Sequence, residues 1–219
     1  AEAARLVPRE AQFHQLLGDI AVNEKKYQEA LTHFQRAQQY NPKYFGSWLG
    51  AGVAQYRLGQ TTQARQTLQR SYDLLPTAPA ALYLGNLLRD AGDVDTAMKY
   101  YQAAASSEST IGQEAAREAV LVDLPRNPGN YVAAQVARDG QGRAVMAVLN
   151  KAPVALSSIV ITPVRVDANN RIVAEGKQVT LRGPLAAGAQ TVADAGLASL
   201  SAEQLPTVRF RIDSARAAQ

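Results

Sequence analysis

The chain contains no cysteine, and this absence removes several classes of chemistry at once. Without thiolates there is no disulfide framework, no cysteine nucleophile and no thiolate-ligated zinc or iron–sulfur centre. The two histidines, His14 and His33, do not fall in an HExxH or other zinc-ligand spacing, and we expect His14 to be packed and His33 to face solvent. Ser157 and Ser158 have no histidine or lysine pattern beside them. We therefore expect a non-catalytic chain that holds no metal or cofactor.

Long apolar runs are also missing. No stretch reaches the length that crosses a bilayer, and no charged, apolar, small-residue leader is present at the start. The 219 residues are 47% hydrophobic and 19% charged, a composition typical of a globular protein with one large domain or two ordinary ones.

The formal charge of +4 is concentrated in the second half of the chain. Residues 1–123 hold 12 Lys/Arg and 13 Asp/Glu, whereas residues 124–219 hold 11 and 6. The excess cations are scattered singly, which is typical of a solvated surface, so we expect no nucleic-acid partner. An alternative is that this half binds an anionic polymer through its arginines. These are Arg138, Arg143, Arg165, Arg171, Arg182, Arg209 and Arg211.

Prolines recur along the first half of the chain at a constant interval. Pro8, Pro42 and Pro76 are each separated by 34 residues. Small and large residues keep nearly the same period, so several positions of each unit agree. The repeated positions are Leu17-Gly18, Ala51-Gly52 and Leu84-Gly85, then Ala30, Ala64 and Ala97, then Phe34, Leu68 and Tyr101. This pattern resembles the tetratricopeptide repeat (TPR) signature and predicts an all-α solenoid.

The spacing predicts two antiparallel helices, A and B, in each unit. The glycine of helix A and the alanine of helix B, such as Gly52 and Ala64, have almost no side chain and let the two backbones approach closely. A larger residue at Gly52 is expected to overpack this crossing. Gly59 and Gly92 are expected to end helix A, because glycine accepts a left-handed backbone.

The repeat also predicts the domain boundaries. Residues 1–10, AEAARLVPRE, are expected to be the end of a helix B that stops at Pro8, and so the tail of a truncated upstream unit of a longer protein. Residues 11–124 are expected to hold three TPR units and a solvating helix, which a capping box at residues 110–113 opens. The prolines and glycine of residues 125–130 break the helical period and predict a linker.

From residue 131 the hydrophobic period changes from 3.6 to 2. YVAAQVAR and RAVMAVLN predict one hairpin, and SSIVITPVRV with RIVA predicts another. Val208, Phe210 and Ile212 alternate with polar residues in a last strand, and Pro163 indicates a bulge or an edge. Six or seven short strands in residues 131–219 predict an all-β immunoglobulin-like sandwich, with a small open barrel as the alternative.

Three carboxylates cluster at the turn of the third unit. Asp90, Asp93 and Asp95 are close enough in sequence to suggest calcium, but the remaining oxygen ligands and the glycine spacing of an EF-hand are missing. We therefore interpret these residues as helix termination and capping.

A short TPR array offers a concave surface on its A helices. The second, fifth, ninth and twelfth places of each helix A are expected to face it, and they form an apolar centre flanked by amides and one arginine. An extended peptide or a partner helix suits such a groove, although a segment of the same protein is an alternative occupant. Asn86 and Arg89 resemble part of a carboxylate clamp, but Gln15 and Leu49 replace the lysines expected there. The candidate residues are Gln15, Asp19, Leu49, Val53, Tyr56, Leu82, Asn86 and Arg89.

Whole stretches of residues 1–131 resemble one family more specifically. PREAQFHQLLGDI, NPKYFGSWLGAG, SYDLLPTAPAALYLGNLLRDAG and AMKYYQAAASSES are similar to the TPR tails of bacterial HExxH zinc metallopeptidases of the Ste-type (CAAX prenyl protease-like) family. The resemblance implies a periplasmic, often membrane-associated protease whose zinc site lies upstream and whose TPR tail recruits or gates substrates. The chain has no HExxH, so no catalytic or zinc-ligand residue is carried over, and membrane association is expected only through other parts of the protein.

The leading interpretation is a protein–protein interaction module, the substrate- or partner-recruiting tail of a periplasmic zinc metalloprotease. Its expected partners are peptide segments or proteins in the TPR groove, including the protease domain itself. The alternative is a free-standing TPR scaffold or adaptor of cell-envelope assembly.

Overall fold

The computed structural model describes residues 3–218, and the chain folds as two compact units that divide between Ala116 and Arg117. The first unit is helical and the second is built mainly of strands. The helices are α1 (Ala3–Asn23), α2 (Tyr27–Tyr40), α3 (Phe45–Arg57), α4 (Thr61–Leu74), α5 (Ala78–Asp90), α6 (Val94–Ala105) and α7 (Thr110–Asp123). The strands are β1 (Val132–Arg138), β2 (Ala144–Asn150), β3 (Leu156–Val166), β4 (Ile172–Glu175), β5 (Val179–Leu185), β6 (Gln190–Ala193) and β7 (Val208–Ala217).

Small residues bring the two helices of each pair together, as the repeat predicts. A Cβ added to Gly52 of α3 would lie 2.6 Å from Leu68 Cγ of α4, and one added to Gly85 of α5 would lie 2.7 Å from Tyr101 Cε1 of α6. Leu68 and Tyr101 are fully buried. Only glycine leaves room for these large side chains, so the pairs α1/α2, α3/α4 and α5/α6 pack closely.

The turn that ends helix A has a left-handed residue in all three units. Gly59 has a φ of 73° and Gly92 a φ of 83°, which confirms the prediction for the second and third units. In the first unit the equivalent residue is Lys25, with a φ of 60°. A side chain disfavours this backbone conformation, so the first turn is strained relative to the other two.

Two predicted helix ends are corrected by the structure. Helix α1 runs without a break from Ala3 to Asn23, so the prediction that a helix stops at Pro8 is wrong. Pro8 is the sixth residue of α1, so the helix lacks the hydrogen bond that a nitrogen at this position would donate to the Ala4 carbonyl, yet it continues. The cap of α7 lies one residue before the predicted one, because Ser109 Oγ accepts a hydrogen bond from Gly112 N at 3.2 Å.

The last turn of α7 and Leu124, the residue that follows it, belong to the core of the strand unit. Val120 and Leu124 are 5% and 1% exposed and pack in the same cluster as Met146 and Ile161 of the sheets. The division at Ala116/Arg117 therefore precedes the predicted linker of residues 125–130. Those residues form an ordered turn, including a 3₁₀ turn at Pro128–Asn130, and Asn127 N donates to Asp123 O at 2.8 Å.

Seven antiparallel strands form two sheets in the second unit. One sheet has the order β1-β2-β6; in the other, β3 pairs with β7 along one edge and with β4 and β5 along the opposite edge. Side chains from both sheets share one buried cluster, which confirms the fold class of TPR helices followed by an all-β sandwich. Both predicted hairpins, β1/β2 and β3/β4, are present.

Pro163 lies in the central strand β3, where its missing donor causes no loss. It is opposite Phe210 of β7, and its carbonyl accepts from Gly176 N at 2.7 Å on the other edge. Gly176 follows the end of β4 and precedes β5, so the proline nitrogen faces a gap between two strands rather than a continuous ladder. Pro163 is therefore not in an edge strand, as predicted, but in a central strand beside the gap between β4 and β5.

Candidate peptide-binding groove

The A helices α1, α3 and α5 present the predicted groove residues at positions that share one side of each helix. Seven of the eight side chains are accessible to solvent. Leu82 of α5 is 3% exposed and belongs to the core instead. Burial of a leucine side chain lowers the free energy of the folded state more than exposure on the groove surface does. The repeat position alone does not show that Leu82 is buried.

The centre of the candidate groove is apolar and held firmly. Leu49, Val53 and Tyr56 of α3 are each half-buried. All three pack against the buried cluster of Ala64, Leu68, Leu84 and Leu87, which joins α3, α4 and α5. The surface is therefore an exposed margin of the core, and its side chains have little freedom to lose when a ligand binds.

Two residues that the sequence pattern missed extend this apolar centre. The Tyr56 and Tyr83 rings meet edge to face at 5.3 Å, and the Arg57 guanidinium lies 5.9 Å from the Tyr56 ring centroid. Arg57 Nη2 also donates to the Tyr83 hydroxyl at 3.5 Å. Tyr83 and Arg57 occupy repeat positions outside the predicted set. The one feature of the sequence that could have indicated them is a large amphipathic side chain at a helix A position that is not used for packing.

Burial raises the pKa of the Tyr56 hydroxyl, and the negative charge of Asp90 adds to the shift. The hydroxyl is therefore protonated at neutral pH and available as a hydrogen-bond donor. The cluster of Tyr56, Tyr83 and Arg57 offers aromatic faces, one cation and hydroxyl donors, a combination that is enriched where proteins bind other proteins.

At the third-repeat end, helix B orients a groove residue. The Tyr101 hydroxyl donates to Asn86 Oδ1 at 2.8 Å. Because this bond uses the carboxamide oxygen of Asn86, its amide nitrogen points the other way and can donate to a ligand oxygen. Arg89, one turn further along α5, pairs with Asp90 at 3.0 Å.

At the first-repeat end, the groove is acidic. Gln15 Nε2 donates to both carboxylate oxygens of Asp19, at 3.2 and 3.3 Å. Burial raises the pKa of Asp19, and the bond from Gln15 opposes that shift. Gln15 Oε1 is buried and has no hydrogen-bond partner among the described residues. A cavity of about 360 Å³ opens here, between these two side chains and Leu16, Asn41 and Tyr44.

This polarity bears on the carboxylate-clamp resemblance. The place where a clamp lysine would stand holds Gln15, whose amide is bonded to Asp19. A ligand carboxylate brought to that end would meet another carboxylate, whereas the amide nitrogen of Asn86 and the guanidinium of Arg89 lie at the opposite end. The first-repeat end is therefore suited to a ligand donor or cation.

Other candidate residues have structural roles. His14 is 8% exposed, which confirms that it is packed, but His33 is half-buried beside it rather than solvated, with the two Nδ1 atoms 3.2 Å apart. Burial, followed by the charge of His33, lowers the pKa of His14. Asp93 Oδ1 caps α6 by accepting from Thr96 N at 3.2 Å, which confirms capping by this residue. Within residues 3–218, no three His, Asp or Glu side chains are grouped as metal ligands.

A cavity of about 740 Å³ lies in the strand unit. Arg165, Glu175, Lys177 and Asp194 line it together with apolar side chains. These two cations and two anions balance, so the charge of the lining does not indicate which kind of ligand would bind there. No helix among the described residues combines the length and the apolar character needed to cross a bilayer.

Comparison with known proteins agrees with the helical architecture. The TPR family model matches residues 1–45, 16–79 and 49–116, and so residues 1–116 of the 219. Tetratricopeptide repeat-containing protein trd-1 of Caenorhabditis elegans is 31% identical over 68 residues, which are 31% of this chain and 9% of that protein. Superkiller protein 3 of Schizosaccharomyces pombe is 31% identical over 86 residues, 39% of this chain and 6% of that protein.

The matched part of this chain thus spans less than a tenth of either relative. Among solved structures, the first TPR of Spaghetti (RPAP3), bound to the HSP90 peptide SRMEEVD, has a TM-score of 0.48 and 17% identity. That similarity covers 52% of this chain and 91% of the solved chain. With its family match over more than half of its length and its three glycine-packed helix pairs, the chain belongs to the tetratricopeptide repeat family.

Proposed function

We propose that the helical unit is a protein–protein interaction module that binds an extended peptide along α1, α3 and α5. One observation carries the proposal: the half-buried apolar centre of Leu49, Val53 and Tyr56 lies between polar groups of opposite character. The Gln15/Asp19 pair is at one end, and Asn86 and Arg89 are at the other.

The groove chemistry defines the class of peptide. Apolar or aromatic side chains of the ligand pack on Leu49, Val53 and the Tyr56/Tyr83 pair, and bury area that the free protein leaves in water. The amide nitrogen of Asn86 and the Arg89 guanidinium suit a carbonyl or carboxylate oxygen. The exposed Asp19 carboxylate suits an amide, amine or guanidinium donor.

The module, in this proposal, recruits substrates to an HExxH zinc metallopeptidase of the bacterial cell envelope, in the periplasm. The support is the resemblance of residues 1–131 to the TPR tails of that family. Zinc and the catalytic groups would belong to the peptidase domain, and this chain would contribute none of them. A free-standing scaffold of envelope assembly is the competing function.

The groove is tested by peptide titration. Short peptides tiled across unfolded outer-membrane proteins are screened, and those that bind are titrated against wild type and against the double variant Leu49→Ala/Tyr56→Ala. The matched control is Leu75→Ala/Tyr40→Ala, which removes the same side-chain types at exposed positions outside the groove. We expect at least a tenfold loss of affinity in the groove variant alone, and circular dichroism confirms folding of both. Equal affinities of all three proteins would contradict the groove assignment.

A second titration separates the two cellular roles. The chain is mixed with a purified HExxH peptidase domain of the Ste-type family, and cleavage of a groove-binding peptide is measured with and without it. We expect faster cleavage with the wild-type chain and no acceleration with Leu49→Ala/Tyr56→Ala. Peptide binding without any effect on cleavage would favour the scaffold function.

A further inference from the structure

The two histidines of the chain contact each other across the first helix pair. His14 of α1 is buried and His33 of α2 is half-buried. Their Nδ1 atoms are 3.2 Å apart, whereas the ring centroids are 5.5 Å apart, so the two nitrogens are turned toward each other. The Tyr40 ring stacks on the His14 ring at 5.8 Å, and the Phe13 ring meets it edge-on at 5.6 Å. This packing limits rotation of the His14 imidazole.

The number of protons on the two rings decides whether this contact is attractive. A neutral imidazole has one N–H and one bare nitrogen, so the Nδ1 atoms form a hydrogen bond when only one of them carries a proton. One added proton preserves the bond, because an imidazolium donates to a neutral partner. Two added protons make both Nδ1 atoms donors and bring two cations together at 3.2 Å. The contact therefore tolerates one added proton but not two.

The surroundings of the pair also oppose its charged form. Burial lowers the pKa of His14, the charges of His33 and Arg36 act in the same direction, and Glu10 opposes them. These charged groups all lie on α1 and α2. In the unfolded chain both histidines bind protons below the ordinary pKa of about 6.5. The unfolded state then binds more protons than the folded pair, so the stability that the pair contributes above this pH is lost as the pH falls.

The other two helix pairs have no such group at the equivalent repeat positions. The pair α3/α4 has Trp48 and Thr67 there, and the pair α5/α6 has Ala81 and Tyr100. The first three of these residues have no titratable side chain, and burial raises the pKa of Tyr100, which therefore stays uncharged in acid. Sensitivity to mild acid through this position is thus confined to the first helix pair.

We propose that the contact of His14 with His33 is an acid-sensitive switch, which holds α1 against α2 while the rings share a proton and loosens α1 when both rings are cations. The turn between these helices is already strained at Lys25. Helix α1 carries the Gln15/Asp19 end of the candidate groove, so mild acid weakens peptide binding there. This effect on binding rests on the proposed function, whereas the loosening of α1 does not.

Hydrogen exchange of the full chain at pH 7.5 and pH 5.5, in buffers that contain EDTA, tests the switch. Protection factors correct for the intrinsic effect of pH on exchange. We expect those of α1 and α2 to fall about tenfold at the lower pH, because a free imidazole one pH unit below its pKa is about ten-elevenths protonated. Those of α5 and α6 should not change. Unchanged protection of α1 and α2 would overturn the proposal.

Two variants assign the effect to the histidines. His14→Asn/His33→Asn keeps an amide near each Nδ1 position without a titratable group, and should lose the acid sensitivity. Asp19→Asn should retain it, which separates the switch from Asp19, whose pKa burial also raises. A double variant that stays as acid-sensitive as wild type would contradict the assignment.

Nitrogen-15 spectra of the imidazoles test the shared proton in wild type, without any variant. At pH 7.5 we expect one ring to be protonated at Nδ1 and the other at Nε2. Two rings that are both protonated at Nε2 would leave no proton between the Nδ1 atoms, and the proposal would be wrong.

Peptide titration at the two pH values tests the effect on binding. The ligand is a groove-binding peptide with blocked ends and no ionisable side chain. We expect severalfold weaker binding at pH 5.5 for wild type and equal binding at both pH values for His14→Asn/His33→Asn. Equal binding by wild type, despite a loss of protection in α1, would refute regulation of the groove. If no peptide binds at pH 7.5, the proposed function fails, and hydrogen exchange still decides whether the histidine pair is a switch.

Discussion

The buried ring of Tyr101 on α6 is hydrogen-bonded to Asn86 on the groove surface, with 2.8 Å between its hydroxyl and Asn86 Oδ1. The same ring packs over Gly85, where an added Cβ would lie 2.7 Å from it. One aromatic side chain thus joins the third helix pair together and orients a polar groove residue. In the proposed binding mode, stability and peptide recognition share this contact.

Removal of the Tyr101 hydroxyl should affect both properties. Tyr101→Phe leaves the ring packing intact and removes the bond to Asn86, at a cost of about 1 kcal/mol in the free energy of unfolding. Because the Asn86 carboxamide loses its fixed orientation, peptide affinity should fall about fivefold. Urea denaturation and peptide titration measure the two effects.

Tyr100→Phe is the matched control for this prediction. It removes a bond of the same length, from the Tyr100 hydroxyl to Gln69 Oε1, outside the groove. We expect a similar loss of stability and unchanged peptide affinity. Equal effects of both variants on affinity would show that Asn86 is not oriented by Tyr101.

The repeat period explains why the helical fold was predictable from sequence. Glycine and alanine mark the close crossings in every unit, and the fully buried Ala64 and Leu68 agree with that interpretation. The period could not assign the end of α7, because an amphipathic helix shows which side is apolar but not which core receives it. Val120 and Leu124 pack with the strands for this reason.

The crossing of α3 and α4 should not tolerate a methyl group at Gly52. In Gly52→Ala the new Cβ would lie 2.6 Å from Leu68 Cγ and 3.2 Å from the Leu68 backbone nitrogen. We expect a loss of about 1–3 kcal/mol in the free energy of unfolding, measured by urea denaturation. Gly46→Ala, in the same helix, meets the exposed Tyr44 ring, which can move, and should cost little or stabilise the helix. A neutral Gly52→Ala variant would contradict the packing account.

The first unit should gain stability from a single glycine. Lys25 has a φ of 60° at the place where the later units have Gly59 and Gly92. Lys25→Gly relieves this strain and should raise the thermal midpoint. Because glycine also makes the unfolded chain more flexible, we expect a net gain of about 0.5–1 kcal/mol in the free energy of unfolding. Lys26→Gly, where φ is −84°, should give no gain. Destabilisation by Lys25→Gly would be incompatible with a strained turn.

Acid should weaken the turn after α7. Burial acts to raise the pKa of Asp123, but hydrogen bonds from Asn127, Tyr131 and Asn130 outweigh it and hold the pKa below its usual value. A lowered pKa stabilises the folded state above the unfolded value of about 4, and that contribution is lost as pH falls through the folded pKa.

The variant Asp123→Asn tests this linkage. It should be less stable than wild type by about 1–3 kcal/mol at pH 7. Urea denaturation should show this difference narrowing as the pH falls below about 4. Glu203→Gln, at an exposed carboxylate of the same unit, is the control and should be as stable as wild type at pH 7. A constant difference between wild type and Asp123→Asn over the acid range would contradict the assignment.

The groove was less predictable than the fold. Leu49, Val53 and Tyr56 follow from the repeat positions, but Tyr83 and Arg57 meet Tyr56 only because two neighbouring units bring their helices together. Which polar groups are satisfied internally is likewise invisible in sequence: the bond from Tyr101 to Asn86 and the pairing of Gln15 with Asp19 depend on side-chain orientation.

The most direct test of the central claim is methyl chemical-shift mapping of the 23.5 kDa chain with a bound peptide. We expect the Leu49 and Val53 methyl resonances to shift on binding, while those of Leu75, outside the candidate groove, do not. Shifts confined to α4 and α6 or to the strand unit, with Leu49 and Val53 unchanged, would contradict the claim that peptides bind along the A helices.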